Sequence, residues 1–139
     1  MPIIPWDDTI LLGIDIIDDD HKFILSRINA FILAIEDGKN FATIRDAFRE
    51  MEQSIFQHLA FEEGLLQKAG YTGFDGHKAT HDRLTDELEQ IWDDMLADPS
   101  FQPNAAARAW IESWLFVHVR NEDFAYRQPV IESGVLDGY

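Results

Sequence analysis

The chain has 139 residues, with 26 acidic and 11 basic side chains and a formal net charge of −15. This length allows one domain with a sizeable core, and the acidic balance argues against nucleic acid or an anionic membrane as a partner. No cysteine is present, which excludes disulfides, thiolate metal sites and cysteine nucleophiles. Any bound metal must therefore be held by nitrogen and oxygen ligands.

The first 17 residues are predicted to form an irregular arm. Pro2 and Pro5 oppose a helix, and Gly13 interrupts a short β-branched run. The apolar residues expected to pack against the rest of the molecule are Trp6, Leu12, Ile14 and Ile16. The arm lacks the basic-then-apolar pattern of a signal peptide, and no apolar run approaches the ~18–20 residues of a membrane span. A cytoplasmic protein is therefore expected.

Two helices are predicted in the first half of the chain. The first begins near Asp18, which suits an N-cap, and ends at Gly38, which suits the C′ position. The second runs from about Phe41, with Asn40 as its cap, to about residue 69, where Gly70 stops it. Both carry apolar residues at steps of three and four, so each has one face made for burial.

Two more helices are predicted in the second half. The third follows a capping box formed by Thr72 and Asp75 and ends at Asp98–Pro99. The fourth frays at about residue 121, and the tail, 122–139, is expected to be a short helical turn and a coil. Helices within 18–121 joined by mostly short links predict an all-α, up-down-up-down antiparallel four-helix bundle, with 1–139 as a single domain.

Every histidine of the chain falls on a face predicted to be buried: His21, His58, His77, His81 and His118. A single buried histidine is more often a hydrogen-bonded core residue than a ligand, but five out of five on buried faces is a different situation. Burying polar groups without partners costs on the order of 2–7 kcal/mol each. The pattern indicates that something in the core satisfies these side chains.

The histidines also share one level of the bundle. They lie at the starts of the first and third helices, late in the second and at the end of the fourth, and in an antiparallel bundle these positions lie toward the same end. Glu62 follows His58 by one turn and Asp123 lies just past His118, so both fall at this level. Seven such ligands exceed one four-coordinate zinc and suit two carboxylate-bridged metal ions, with iron or manganese favoured.

Asp123 fits this arrangement only on one condition. It lies five residues after His118, and on a regular α-helix that spacing turns the two side chains apart by ~140°. The two meet only if the fourth helix ends, tightens or bulges between them. The alternative is that Asp123 is a solvated residue at a helix end.

The order His, His-x-x-x-Glu, His-x-x-x-His and His-x-x-x-x-Asp on four successive helices resembles the hemerythrins, specifically the single-domain bacterial members. All seven positions are filled, by His21, His58 and Glu62, His77 and His81, and His118 and Asp123. The likeness extends over nearly the whole chain, to Trp6, Gly13-Ile14-Asp15, Gly70-Tyr71, Trp114-Leu115 and Tyr126.

The resemblance implies a non-haem di-iron centre that binds O2 reversibly, for oxygen carriage or storage and not for catalysis. By it, one iron is held by His77, His81 and His118, and the other by His21 and His58. Glu62 and Asp123 bridge both irons together with an oxo or hydroxo group. The first iron is then six-coordinate, and the second keeps an open position where O2 binds end-on as hydroperoxide.

Apolar side chains are expected to exclude water from the bound O2. The predicted pocket wall is formed by Phe56, Leu66, Leu115 and Val119, for which plain core packing is the alternative. Leu66 stands where Met is frequent in the family and Val119 where Ile is frequent. Neither departure removes a ligand.

Other functions fit the pattern less well. Ferritin-like di-iron enzymes use paired Glu-x-x-His motifs, which are absent here, and a haem bundle leaves three histidines unexplained. Hydrolysis at two metals lacks a recognisable substrate pocket. The serious alternative is an O2 or nitric-oxide sensor, or a redox protein, that uses the same site. We expect a monomer whose partner is O2, with an unidentified protein acceptor of oxygen left open.

Overall fold

The computed structural model describes residues 3–98 and 101–139, and every regular element in these ranges is helical. The helices are α1 (Asp15–Glu36), α2 (Phe41–Lys68), α3 (Phe74–Ala97), α4 (Pro103–Ile111) and α5 (Phe124–Ser133). A π-helix, Glu112–Asp123, joins α4 to α5, and single 3-10 turns lie at Asp8–Ile10 and Val135–Gly138. Pro2, which contributes to the prediction of an irregular arm, and Pro99, which contributes to the predicted end of the third helix, lie outside the described residues.

The helices form a four-helix bundle, as predicted. Helix α4, the π-helix and α5 follow one another without a break and together form its fourth helix. Contacts run from α1 to α2, from α2 to α3, from α3 to α4 and from α4 back to α1, which is the neighbour order of an up-down-up-down bundle. Large side chains fill its centre, and the rings of Phe31 and Phe48 meet edge to face at 5.4 Å. Within the described ranges, no helix combines the length and the apolar character that a membrane span needs.

The arm packs against the bundle as predicted, but α1 begins earlier than predicted. Helix α1 starts at Asp15, so Asp18 is not its N-cap. The Asp18 carboxylate is instead buried and accepts hydrogen bonds from the backbone N–H groups of Leu12 (2.8 Å) and Gly13 (3.0 Å). Arg127 donates to the carbonyl oxygen of Leu12 from the other side. The arm is therefore held to both the first and the last helix.

Replacing Asp18 with alanine should destabilise the metal-free protein by about 3 kcal/mol. The variant loses two hydrogen bonds to a charged acceptor and leaves two N–H groups without their partner. Urea unfolding measures the change. Asp19→Ala is the matched control, since Asp19 is exposed, and it should stay within about 0.5 kcal/mol of the parent. Equal curves for the two variants would contradict this role for Asp18.

The boundaries of α2 agree with prediction and the start of α3 does not. The Asn40 side chain accepts from the Thr43 N–H at 2.9 Å, which caps α2. The predicted capping box of Thr72 and Asp75 is wrong, because the N-cap of α3 is Gly73 and no side chain caps it. A Cβ at Gly73 would lie 2.8 Å from the outer atoms of the Tyr71 ring, so a larger residue at this position requires the ring to move.

The last helix is longer than predicted. The sequence favoured fraying at residue 121 and a mostly coiled tail, but the chain stays helical to Ser133, where Gly134 adopts a φ of 76° and ends it. Pro129 lies inside α5. Burial outweighs the cost of this proline, because Tyr126 and Val130, one turn apart, are both completely buried.

Candidate metal centre

The bundle brings all five histidines and both carboxylates to one buried level. Two groups of potential ligand atoms arise, each with all its atoms within 4.8 Å of one another. The larger group contains Glu62, His77, His81, His118 and Asp123, and the smaller contains His21, His58 and Glu62. All seven side chains are buried. The convergence follows from the antiparallel order, which places the start of α1, the second half of α2, the start of α3 and the π-helix side by side.

Glu62 lies between the two groups and turns one oxygen toward each. Its Oε1 is 2.5 Å from Nε2 of His77 and 3.1 Å from Nε2 of His81. Its Oε2 is 3.2 Å from Nε2 of His58, which lies on the same face of α2. A carboxylate placed in this way can offer one ligand atom to each group.

Asp123 takes the second position between the groups, and the π-helix makes this possible. Its Oδ1 lies 3.2 Å from Nε2 of both His77 and His118, and its Oδ2 lies 3.6 Å from Nε2 of His21. In a π-helix the backbone bonds join residues five apart, as the bond from the Phe124 N–H to the Val119 carbonyl shows. Residues five apart then come to nearly the same side. The π-helix meets the condition under which His118 and Asp123 were expected to come together, and Asp123 is completely buried, which excludes the solvated alternative.

Three histidines are anchored at Nδ1 by carboxylates that were not predicted as site residues. Asp20 lies 2.9 Å from Nδ1 of His58 and Glu63 lies 3.0 Å from Nδ1 of His81. Glu122 contacts Nδ1 of His118. Such contacts orient an imidazole with Nε2 facing inward. The spacing of His118 and Glu122, four apart on one helix face, is a signal that could have identified this pair.

Two aromatic residues complete the surroundings. The completely buried Tyr126 hydroxyl donates to Oε2 of Glu62 at 3.2 Å. The Trp114 ring lies edge-on to His21, with ring centres 5.3 Å apart. Both residues belong to the sequence pattern that resembles the hemerythrins, but neither was predicted as a site residue. Tyr126 lies in the segment that was predicted to be largely coil, so its approach to Glu62 was not foreseen.

The apolar residues predicted for the O2 pocket belong to the core. Leu66, Leu115 and Val119 are completely buried, and Phe56 is partly buried against the same core. Leu115 and Val119 flank His118 on the π-helix, three residues before it and one residue after it. Their contact with O2 stays a prediction.

The buried polar atoms of the centre fit metal ions. Both oxygens of Asp123 and the Nε2 atoms of His81 and His118 are buried without a well-formed hydrogen bond, although each lies 3.1–3.6 Å from an oppositely charged or polar neighbour in the centre. Unsatisfied buried groups are costly, and four at one point call for a common partner. The donor set of imidazoles and carboxylates without thiolate suits iron or manganese.

In the metal-free protein, the carboxylates hold protons on the imidazoles. Burial opposes the charged form of His58, but contacts with Asp20 and Glu62 raise its pKa to about 9. Burial likewise opposes charge on His77, and Asp123 and Glu62 raise its pKa to about 10. Burial and the nearby His58 lower the pKa of His21 to about 4.

Metal binding should therefore release protons. His58 and His77 are protonated at pH 7 in the metal-free protein, and a ligating Nε2 must be deprotonated. We expect at least two protons to be released per chain at pH 7, because burial opposes charge on His118 but contacts with Asp123 and Glu122 raise its pKa as well. Metal affinity should rise with pH until these groups are neutral without metal, near pH 10. The pH change on adding Zn²⁺ in weak buffer measures the release. Binding without release would contradict these pKa directions.

The fold and the centre together define a class: a helical bundle with a buried histidine–carboxylate site for metal ions. Comparison with known proteins agrees. The family model described as the hemerythrin HHE cation binding domain matches residues 12–128. The chain belongs to the hemerythrin family.

Individual relatives show how far the similarity reaches. The bacteriohemerythrin of Pseudomonas paraeruginosa is 31% identical over 128 residues, covering 92% of this chain and 82% of the relative. Hemerythrin subunit 1 of Golfingia vulgaris is 28% identical over 125 residues, covering 90% and 91%. The crystal structure of a mutant hemerythrin superposes with a TM-score of 0.82 at 24% identity, covering 94% of this chain and 98% of the other. This last likeness supports the fold.

Proposed function

We propose that this protein binds O2 reversibly at a non-haem di-iron centre and serves in oxygen carriage or storage. The observation that carries the proposal is the pair of buried carboxylates, each with one oxygen facing each group of histidines. In this assignment, His77, His81 and His118 would hold one iron, His21 and His58 would hold the other, and Glu62 and Asp123 would contribute an oxygen to each. When bound, the irons supply the electrons that reduce O2 and recover them on its release.

Unequal numbers of histidines give the two metal positions different tasks. Three imidazoles and two carboxylates offer five ligand groups to one position, whereas two imidazoles and the same carboxylates offer four to the other. With an added oxo or hydroxo bridge, the first position would be six-coordinate and the second would keep one open place. A small ligand therefore has one place to bind, on the His21 and His58 side. The completely buried Trp114 ring covers part of this side with an apolar surface, while His58 also borders a cleft between α1 and α2.

The absorption spectrum of the iron-loaded protein tests this function. The spectrum is recorded after reduction without air, after aeration and after degassing. A charge-transfer band that appears with air and disappears on degassing is the expected result. Irreversible conversion to the ferric form, with two irons still bound, would overturn carriage and favour a sensor or redox role. Protein that binds no iron would overturn the di-iron assignment itself.

A further inference from the structure

The two metal positions differ in how firmly their imidazoles are anchored. In the larger group of ligand residues, His81 and His118 each have a carboxylate at Nδ1, from Glu63 and Glu122. On the smaller side, Nδ1 of His21 is buried without a hydrogen-bond partner. The contact between His58 and Asp20, at 2.9 Å, is therefore the one Nδ1 anchor that this side possesses among the described residues.

The anchor joins two helices. Asp20 lies on α1 directly before His21, while His58 lies on α2, so one short segment supplies a ligand and orients another. The second χ angle of a histidine has broad, roughly two-fold minima, and a ring without a partner at Nδ1 can rotate. Acceptance of the Nδ1 proton by Asp20 fixes the tautomer, leaving the Nε2 lone pair directed into the centre.

We propose that Asp20 is a positioning residue for the metal ion on the His21 and His58 side, and that this side depends on it more than the other side depends on either of its own anchors. The inference rests on the proposed two-metal centre. Asp20 would contact neither the metal ions nor O2, yet it would determine how tightly the His21 and His58 position binds its metal ion.

The surroundings of Asp20 make it a clean site for substitution. Its side chain is 40% exposed and borders a cleft of about 330 Å³ between α1 and α2, which is also lined by Phe23, Ser54 and Phe61. The described ion pairs give Asp20 no lysine or arginine partner, whereas Glu63 also lies 3.5 Å from Nζ of Lys78. Shortening Asp20 therefore leaves packing and surface ion pairs in place.

Zn²⁺ titration of the metal-free full chain, in competition with a chromophoric chelator, tests the proposal. In Asp20→Ala, one of the two dissociation constants should weaken by about 10–100-fold and the other should change little. Asp20→Asn, which keeps an oxygen acceptor and loses the charge, should fall between this variant and the parent. Asp19→Ala, which removes the same charge at an exposed neighbouring position, should match the parent. Glu63→Ala should weaken its site less than Asp20→Ala weakens the other.

Two results would overturn the inference. One is an Asp20→Ala variant with the same two constants as Asp19→Ala. The other is an equal weakening of both constants with a lower melting temperature of the metal-free protein, which marks a general structural role. Zn²⁺ does not bind O2 by redox chemistry, so these outcomes are separate from the spectral test, and the oxygen function can fail while the positioning role stands.

Discussion

Replacing Glu62 with alanine is expected to remove both metal ions, whereas removal of any single histidine affects mainly one. The carboxylate contacts His77 and His81 through Oε1 and His58 through Oε2, so its loss takes one ligand from each position. Each position should bind at least about tenfold more weakly. Iron per chain, measured after anaerobic loading and gel filtration, should fall from two to less than one.

The control for this variant is Glu50→Ala, on the same helix and exposed to solvent, which should retain the parent's iron content. His81→Ala provides the contrast, because it should lower the content toward one. The ligand assignment fails if Glu62→Ala keeps two irons per chain.

Metal removal is expected to cost the protein a large share of its stability. An ion present at a thousand times its dissociation constant stabilises the folded state by about 4.1 kcal/mol, so two ions contribute about 8 kcal/mol. The metal-free centre also retains its buried, unsatisfied Asp123 oxygens. The urea midpoint, measured with and without excess Zn²⁺, should therefore differ widely.

Glu62→Ala serves as the control here as well. Its midpoint should respond much less to Zn²⁺ than that of the parent, because it lacks the bridging carboxylate. Superimposable unfolding curves for the parent with and without Zn²⁺ would show that the buried cluster does not bind metal in the folded state.

The sequence predicted the bundle and the convergence of the seven side chains, because both depend on periodicity and chain direction. Steps of three and four fix which face of a helix is buried, and the antiparallel order fixes which ends are neighbours. His21 and Asp123 lie 102 residues apart, yet their positions within their helices indicated the same level of the bundle. Whether the Asp123 side chain turns toward the histidines was left open. Metal identity and O2 binding do not follow from periodicity.

What the sequence did not determine depends on tertiary contacts. Asp18 has the residue type of an N-cap, and only the path of the returning arm makes it an acceptor for Leu12 and Gly13. The π-helix contains neither proline nor glycine, so no residue type in this segment predicts a departure from the α-helix. The anchor between Asp20 and His58 joins two helices and depends on the rotation of each about its own axis, which residue spacing leaves undetermined.

The distribution of the ligand residues over the helices has a consequence for the order of folding. No helix carries more than two of the seven, so neither a single helix nor a hairpin offers a complete coordination sphere. A metal ion bound early could be held by only a few ligands, and the π-helix must pack before Asp123 arrives. We therefore expect complete metal uptake to follow assembly of the bundle, because only then do all seven ligand residues lie together.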